Sequence, residues 1–172
     1  MLALVALSIT ACAPAQITTP PVMVAAKNPS NAVGIDVYAR DRARGNPVPS
    51  FRGQKTVQIR AMGKGADGSF GEISGAQCLV DSGVYSATIS TPANINVPDY
   101  GPSSPSLFVR CTAGSQSGSV TVDAYNATNA QRQASAGGTG LLGAIIIGAV
   151  AAQQRNDAVD DFRYPPINVT MN

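Results

Sequence analysis

The residues of this chain that are best suited to chemistry are its three cysteines, Cys12, Cys78 and Cys111. The chain contains no histidine, and therefore lacks the side chain most often used as a general base and as a metal ligand. A serine nucleophile would have to use lysine as its base, but no Ser-x-x-Lys spacing occurs. We therefore expect a protein that is not an enzyme and that uses no cofactor or metal.

The carboxylates that cluster in the sequence are Asp157, Asp160 and Asp161. On a helix, residues 157 and 161 are four positions apart and share one face, as in an acid pair or a calcium site. The interpretation that we favour is a solvated helix face, because Arg155 and Arg163 lie close enough in sequence to neutralise it.

Cys12 follows an apolar run without a charged residue. Residues 1–11 have the length of a signal-peptide core and are too few to cross a bilayer as a helix. The tetrapeptide Ile9-Thr10-Ala11-Cys12 resembles the lipobox of bacterial lipoproteins, which implies that Cys12 is acylated and becomes the mature N-terminus. Ala13, not aspartate, follows the cysteine, and the resemblance then implies an anchor in the outer membrane, with the protein facing the periplasm. The alternative is a buried strand that ends in a cysteine.

Cys78 and Cys111 form an even pair in strand-like surroundings, GAQCLV and LFVRCT. In an oxidising compartment such a pair favours a disulfide. The bridge would close a loop of about 34 residues, worth about 3.7 kcal/mol on the chain-entropy model. Two reduced, buried thiols are the alternative.

The remaining pattern predicts a mainly β fold. Seventeen glycines and twelve prolines indicate many turns and short elements. Apolar and polar residues alternate in several short runs, so we expect a small antiparallel β-sandwich with a disulfide, followed by a C-terminal glycine-rich apolar helix or hairpin and a closing strand. Besides the strand around Cys78, the predicted strands cover residues 32–39, 55–61, 84–90, 94–98 (a short edge strand), 107–112, 119–125 and 167–171, and a helix is predicted over 153–162. The predicted organisation is a signal peptide (1–11), a lipid anchor and tether (12–30), the sandwich (31–125), and the glycine-rich insertion with a short helix and closing strand (126–172).

The run GAQCLVDSGVYSATISTPANINVP, followed by LFVRCTAG, carries a resemblance. It resembles the core of small, poorly characterised proteobacterial envelope lipoproteins, whose fold is similar to the β-sandwich of PEGA-type domains. They also carry a glycine-rich apolar insertion and a closing Tyr-Pro-x-x-Ile-x-Val, here YPPINV at residues 164–169. The resemblance covers residues 75–171 and implies no catalytic residues.

Seven of the twelve cationic residues fall within residues 40–64, and four of these lie in the turn-rich segment 40–52, which we call the basic loop. A patch that binds anionic lipid headgroups, an envelope polymer or an acidic partner is one interpretation. The one that we favour is a hairpin whose exposed face is charged for solubility and edge protection. The net charge of +2 and the few aromatic residues argue against a nucleic-acid partner. The candidate patch comprises Arg40, Arg42, Arg44 and Arg52.

Residues 137–152, GGTGLLGAIIIGAVAA, form an uncharged stretch that we call the apolar segment. As a helix it would be about 24 Å long, short of the hydrocarbon core of about 30 Å. It could pack on its own domain, enter the lipid interface, or contact a partner or a second copy, because its glycines permit close approach of another backbone. The candidate contact residues are Leu141, Leu142, Gly143, Ile145, Ile146, Ile147, Gly148 and Val150.

The sequence thus predicts a non-enzymatic outer-membrane lipoprotein with a structural or scaffolding role. The alternative is an accessory binding subunit of an envelope assembly, such as a secretion, pilus or flagellar machine. Such a subunit would dock an envelope protein, or a second copy of itself, through the apolar segment or the basic loop.

Overall fold

The computed structural model describes residues 14–136 and 155–172. Within these residues the regular secondary structure is mainly β-strand, with two helices and a 3-10 turn at Gly101–Ser103. The helices are α1 (Ala39–Ala43) and α2 (Ala127–Ala136). The strands are β1 (Val22–Met23), β2 (Ala25–Ala26), β3 (Gln54–Lys64), β4 (Phe70–Glu72), β5 (Gln77–Asp81), β6 (Tyr85–Ser90), β7 (Ala93–Pro98), β8 (Leu107–Ala113), β9 (Gln116–Val122), β10 (Tyr125–Asn126), β11 (Phe162–Arg163) and β12 (Ile167–Thr170).

Ten of the described strands form two sheets that pack face to face, and β10 and β11 form a separate two-stranded sheet. The first has the order β1-β7-β3-β12, with β4 also paired to β3, and the second has the order β2-β6-β5-β8-β9. All pairs in the second sheet are antiparallel, whereas β12 runs parallel to β3. The predicted β-sandwich is therefore confirmed, apart from the helix or hairpin expected in the apolar segment, which lies outside the described residues.

Alternation along the strands decides which side chains fill the core. One face of β3 and one face of β6 are buried, as their alternating sequences predict. The inner faces of both sheets meet in a single cluster of buried apolar side chains. Its members include Val57, Ile59, Ala61, Ile95 and Val169 from the first sheet, and Val80, Tyr85, Ala87, Ile89 and Val109 from the second.

The N-terminal segment closes one side of the sandwich. Residues 22–23 pair with β7 and residues 25–26 pair with β6, so that a single short segment passes from one sheet to the other. Val24, between the two pairs, is buried, and its N–H donates to the Asn96 carbonyl at 3.2 Å. The predicted tether over 12–30 is therefore wrong for residues 22–26, which belong to the folded body.

The C-terminal segment closes the opposite side. Beyond β12, Asn172 and Ser117 exchange two backbone hydrogen bonds of 3.1 Å, which connect the first sheet to β9. The strands lie close together at Gly118, where an added Cβ would lie 2.0 Å from the Thr170 carbonyl oxygen. The predicted closing strand is confirmed, but the domain boundary at 125/126 is wrong, because β12 is part of the sandwich.

Four other predicted elements differ from the structure. The chain turns at residues 33–36 instead of forming a strand over 32–39, because Gly34 adopts a φ of 59° and Val33 and Asp36 exchange backbone hydrogen bonds of 3.0 and 3.2 Å. The predicted edge strand over 94–98 is β7, which lies inside the sheet between β1 and β3. The strand predicted over 119–125 begins earlier, at residue 116, and ends at 122. Residues 155–162 form a turn and enter β11 instead of a helix.

Candidate functional site

The chain on either side of residues 137–154 is joined into one unit. Strands β10 and β11 pair antiparallel, with Tyr125 opposite Arg163 and Asn126 opposite Phe162. One step further along, the Ala127 N–H donates to the Asp161 carbonyl at 2.8 Å. We call residues 125–132 and 155–163 the two limbs of the insertion base.

A buried carboxylate holds both limbs. Asp160 is 1% exposed, and its carboxylate accepts hydrogen bonds from Asn126 Nδ2 at 2.7 Å and Arg132 Nη2 at 3.0 Å, both on the first limb. It also accepts the Asn156 N–H at 2.9 Å on its own limb. The hydrogen bond from Asn126, followed by those from Asn156 and Arg132, lowers the pKa of Asp160 and keeps it ionised.

Asn126 also begins the helix that leads into residues 137–154. Its Oδ1 accepts the Asn129 N–H at 2.7 Å, the bond by which an N-cap residue satisfies the first turn of a helix. Because its Nδ2 binds Asp160, one side chain both starts α2 and ties that helix to the opposite limb.

The body of the sandwich fixes the second limb through Arg52, just ahead of β3. Its guanidinium donates to the carbonyl oxygens of Asp160, at 2.7 Å, and Asp157, at 3.3 Å. It also lies 6.0 Å from the centre of the Phe162 ring, and the Arg155 guanidinium lies 5.8 Å from the same ring. These distances are typical of cation–π contacts, so the Phe162 ring contacts two cations.

Lys55 on β3 adds an ion pair to the same limb. Its ammonium lies 2.6 Å from the Asp161 carboxylate and 3.7 Å from that of Asp99. Burial alone would raise the pKa of Asp161, but the bonds from Lys55 and Arg163 outweigh burial and lower it.

The predicted acidic cluster does not act as one group. Asp157 pairs with Arg155, Asp160 with Arg132 and Asp161 with Lys55 and Arg163, so the three carboxylates serve different partners. Among residues 14–136 and 155–172 no group of three or more Asp, Glu, Cys or His side chains is arranged to hold a metal ion.

Three of the four arginines of the candidate basic patch bind other groups within the folded body. Arg42 donates to the Asp36 carboxylate at 2.6 Å and to the Pro49 carbonyl at 2.5 Å, and Arg44 pairs with Asp41 at 3.1 Å. Arg52 is committed to the insertion base. Arg40 is exposed and has no ion pair within the described part of the chain.

The buried Asp36 holds the basic loop against the sandwich. Its carboxylate accepts the Tyr100 hydroxyl at 3.1 Å, and that hydroxyl in turn accepts the Val37 N–H at 2.9 Å. Burial would raise the pKa of Asp36, but the hydrogen bonds from Arg42, the Tyr38 N–H and Tyr100 lower it. The basic loop is therefore a folded part of the body.

The predicted disulfide is present. Cys78 on β5 lies directly opposite Cys111 on β8, with Cα atoms 4.0 Å apart, and the two are bonded. Both cysteines are buried in the core.

Other predicted site residues lie outside the described residues. These are Cys12 and the candidate contact residues at 141–150. None of the helices formed by residues 14–136 and 155–172 is long and apolar enough to cross a bilayer.

Sequence reasoning missed Asn126 and Arg132, which join the limbs, and it placed Arg52 in the candidate basic patch, whereas Arg52 binds the second limb. One signal was available, because Asn126 precedes the helix-favouring run ATNAQRQASA, and asparagine is a preferred N-cap. The contacts of Arg52 with residues 105 and 108 positions away have no local signal.

No protein-family model, curated protein or solved structure matches this chain. The resemblance to envelope lipoproteins with a PEGA-like sandwich therefore stays a prediction.

Proposed function

We propose that this protein is a non-enzymatic lipoprotein of the outer membrane, anchored through acyl chains on Cys12 and facing the periplasm. Its β-sandwich acts as a scaffold that carries the apolar segment. The observation that carries this proposal is the insertion base, in which both limbs converge on Asp160 and are fixed to the body by Arg52 and Lys55.

Two features support the envelope location. Cys78 and Cys111 form a buried disulfide, a bond that persists in the periplasm and is rare in the cytosol. The lipobox-like run before Cys12 supplies the matching export signal.

The insertion base supports a scaffolding role because it fixes the two limbs that flank the apolar segment in sequence. A buried carboxylate that meets three donors from two limbs is costly to leave unpaired. The limbs are therefore held together, and the described residues on either side of 137–154 have a defined place on the body.

The alternative function is an accessory binding subunit of an envelope assembly. Of the two docking surfaces predicted for it, the apolar segment has the stronger support, since Arg42, Arg44 and Arg52 are engaged within the body. The partner would be apolar at its contact surface, or a second copy of this chain.

The two functions are separated by measuring the native mass of the protein after mild detergent extraction. Ile146→Lys places a charge in the apolar segment, and Val159→Lys is the matched control, because Val159 is 71% exposed on the second limb. The docking function predicts that Ile146→Lys alone reduces the native mass to that of the monomer. The scaffolding function predicts the same mass for both variants and the wild type. Equal loss of mass in both variants would contradict a contact made by the apolar segment.

A further inference from the structure

The chain contacts the sandwich at Ala15, three residues after Cys12. The Ala15 N–H donates to Glu72 Oε2 at 2.9 Å, and the Ala15 carbonyl accepts Arg60 Nη2 at 2.9 Å. Arg60 and Glu72 also pair with each other at 2.5 Å, and each side chain is only 15% exposed. We call this arrangement the Ala15 bracket. It binds both the backbone N–H and the backbone carbonyl of one residue, Ala15.

The Ala15 bracket limits the distance between the β-sandwich and an acyl anchor on Cys12. Three Cα-to-Cα steps of about 3.8 Å separate residues 12 and 15, so their Cα atoms lie within about 11 Å of each other. An acylated Cys12 lies at the bilayer surface. The outer face of the first sheet must therefore lie close to that surface.

The outer face next to the bracket suits a membrane interface. Along β3, Arg60 and Lys64 share the solvent-facing side with Met62, and across from them β4 places Glu72 opposite Met62 and Phe70 opposite Lys64. Phe70 is 62% exposed and Lys64 is also exposed. An exposed aromatic ring beside a lysine matches the boundary between acyl chains and phosphate headgroups.

We propose that the outer face of β3 and β4 lies against the headgroup layer of the bilayer that holds the Cys12 acyl chains. In this orientation the Lys64 ammonium faces lipid phosphates and the Phe70 ring enters the headgroup boundary. The Glu72 carboxylate does not oppose this contact, since Arg60 neutralises it. The proposal rests on the proposed function, because it requires acylation of Cys12.

The chain contains no tryptophan, so a single introduced tryptophan reports on one place. The test uses full-length acylated protein in vesicles of phosphatidylethanolamine and phosphatidylglycerol with brominated acyl chains, which quench tryptophan on contact. Phe70→Trp places the reporter on the proposed surface. Phe108→Trp is the matched control, because Phe108 is 41% exposed on the outer face of the second sheet.

We expect the Phe70→Trp protein to lose most of its emission in brominated vesicles and the Phe108→Trp protein to keep its emission. Adding Ala15→Pro to Phe70→Trp removes the N–H that Glu72 binds, and we expect this change to restore much of the emission. The body should stay folded in that variant, because Ala15 lies outside the core.

Measuring the intact mass of the reconstituted protein distinguishes a failure of the proposed orientation from a failure of the proposed acylation. Equal quenching of both reporters, or quenching of neither, in protein that carries acyl chains overturns the orientation and leaves the lipoprotein proposal standing. Absence of acyl chains on Cys12 overturns both proposals.

Discussion

A single methyl group added at Gly118 tests how the sandwich is closed. The new Cβ would lie 2.0 Å from the Thr170 carbonyl oxygen, 2.8 Å from its carbonyl carbon and 3.1 Å from the Met171 Cα. These atoms belong to the backbone and cannot rotate away. In Gly118→Ala, β9 and the C-terminal segment must therefore separate.

The expected loss in the free energy of unfolding follows from the contacts that this separation breaks. Ser117 and Asn172 exchange two backbone hydrogen bonds, together worth about 1–3 kcal/mol, and strain from the added methyl contributes about 1–3 kcal/mol more. Replacing glycine by alanine in a strand returns about 0.5–1 kcal/mol. The net loss in the free energy of unfolding is therefore about 1–5 kcal/mol.

Gly71→Ala is the matched control, because Gly71 also lies in a strand and an added Cβ there meets no atom within 4 Å. It should be stabilised by about 0.5–1 kcal/mol. Equilibrium urea unfolding, followed by circular dichroism, measures both variants. Equal stability of Gly118→Ala and Gly71→Ala would refute the closure of the sandwich between β9 and β12.

Three further predictions concern the disulfide and the insertion base. Replacing Cys78 and Cys111 together by alanine should lower the free energy of unfolding by about 3.7 kcal/mol in urea titrations; equal stability of oxidised and reduced wild type would contradict this. The lowered pKa of Asp160 means that its contribution to stability is present above the ordinary value of about 3.9 and is lost as pH falls through the folded value. In Asp160→Asn the free energy of unfolding should therefore fall less steeply with decreasing pH below about pH 4. An unchanged pH dependence would contradict the stabilising role of the ionised Asp160 carboxylate. Arg52→Met should speed amide hydrogen exchange at residues 156–162 and leave β3 and β7 unaffected; unchanged exchange there would show that Arg52 does not fix the second limb.

The parts of the fold that could be predicted are those that local sequence patterns indicate. Alternation along β3 and β6 predicts which face is buried, because successive side chains in a strand point to opposite sides. The position of each cysteine in such a strand made a bridge between Cys78 and Cys111 possible to foresee. The closing strand at 167–171 was also visible, from its alternation and the prolines before it.

The parts that could not be predicted depend on partners far away in the sequence. Residues 22–26 make only two-residue pairs with each sheet, too short for any periodicity, and the proline-containing run before them suggested a tether. The carboxylates at 157, 160 and 161 fit a helix face by spacing. Their actual geometry is set by Arg52, Lys55 and the first limb, which no local pattern connects to them.

Membrane fractionation of cells that express the wild type and Cys12→Ser tests the proposed outer-membrane lipoprotein most directly. The account predicts that the wild type is found in the outer-membrane fraction, and that Cys12→Ser appears in the soluble periplasmic fraction with the Cys78–Cys111 bond intact. Retention of Cys12→Ser in the outer-membrane fraction to the same extent as the wild type would contradict the account.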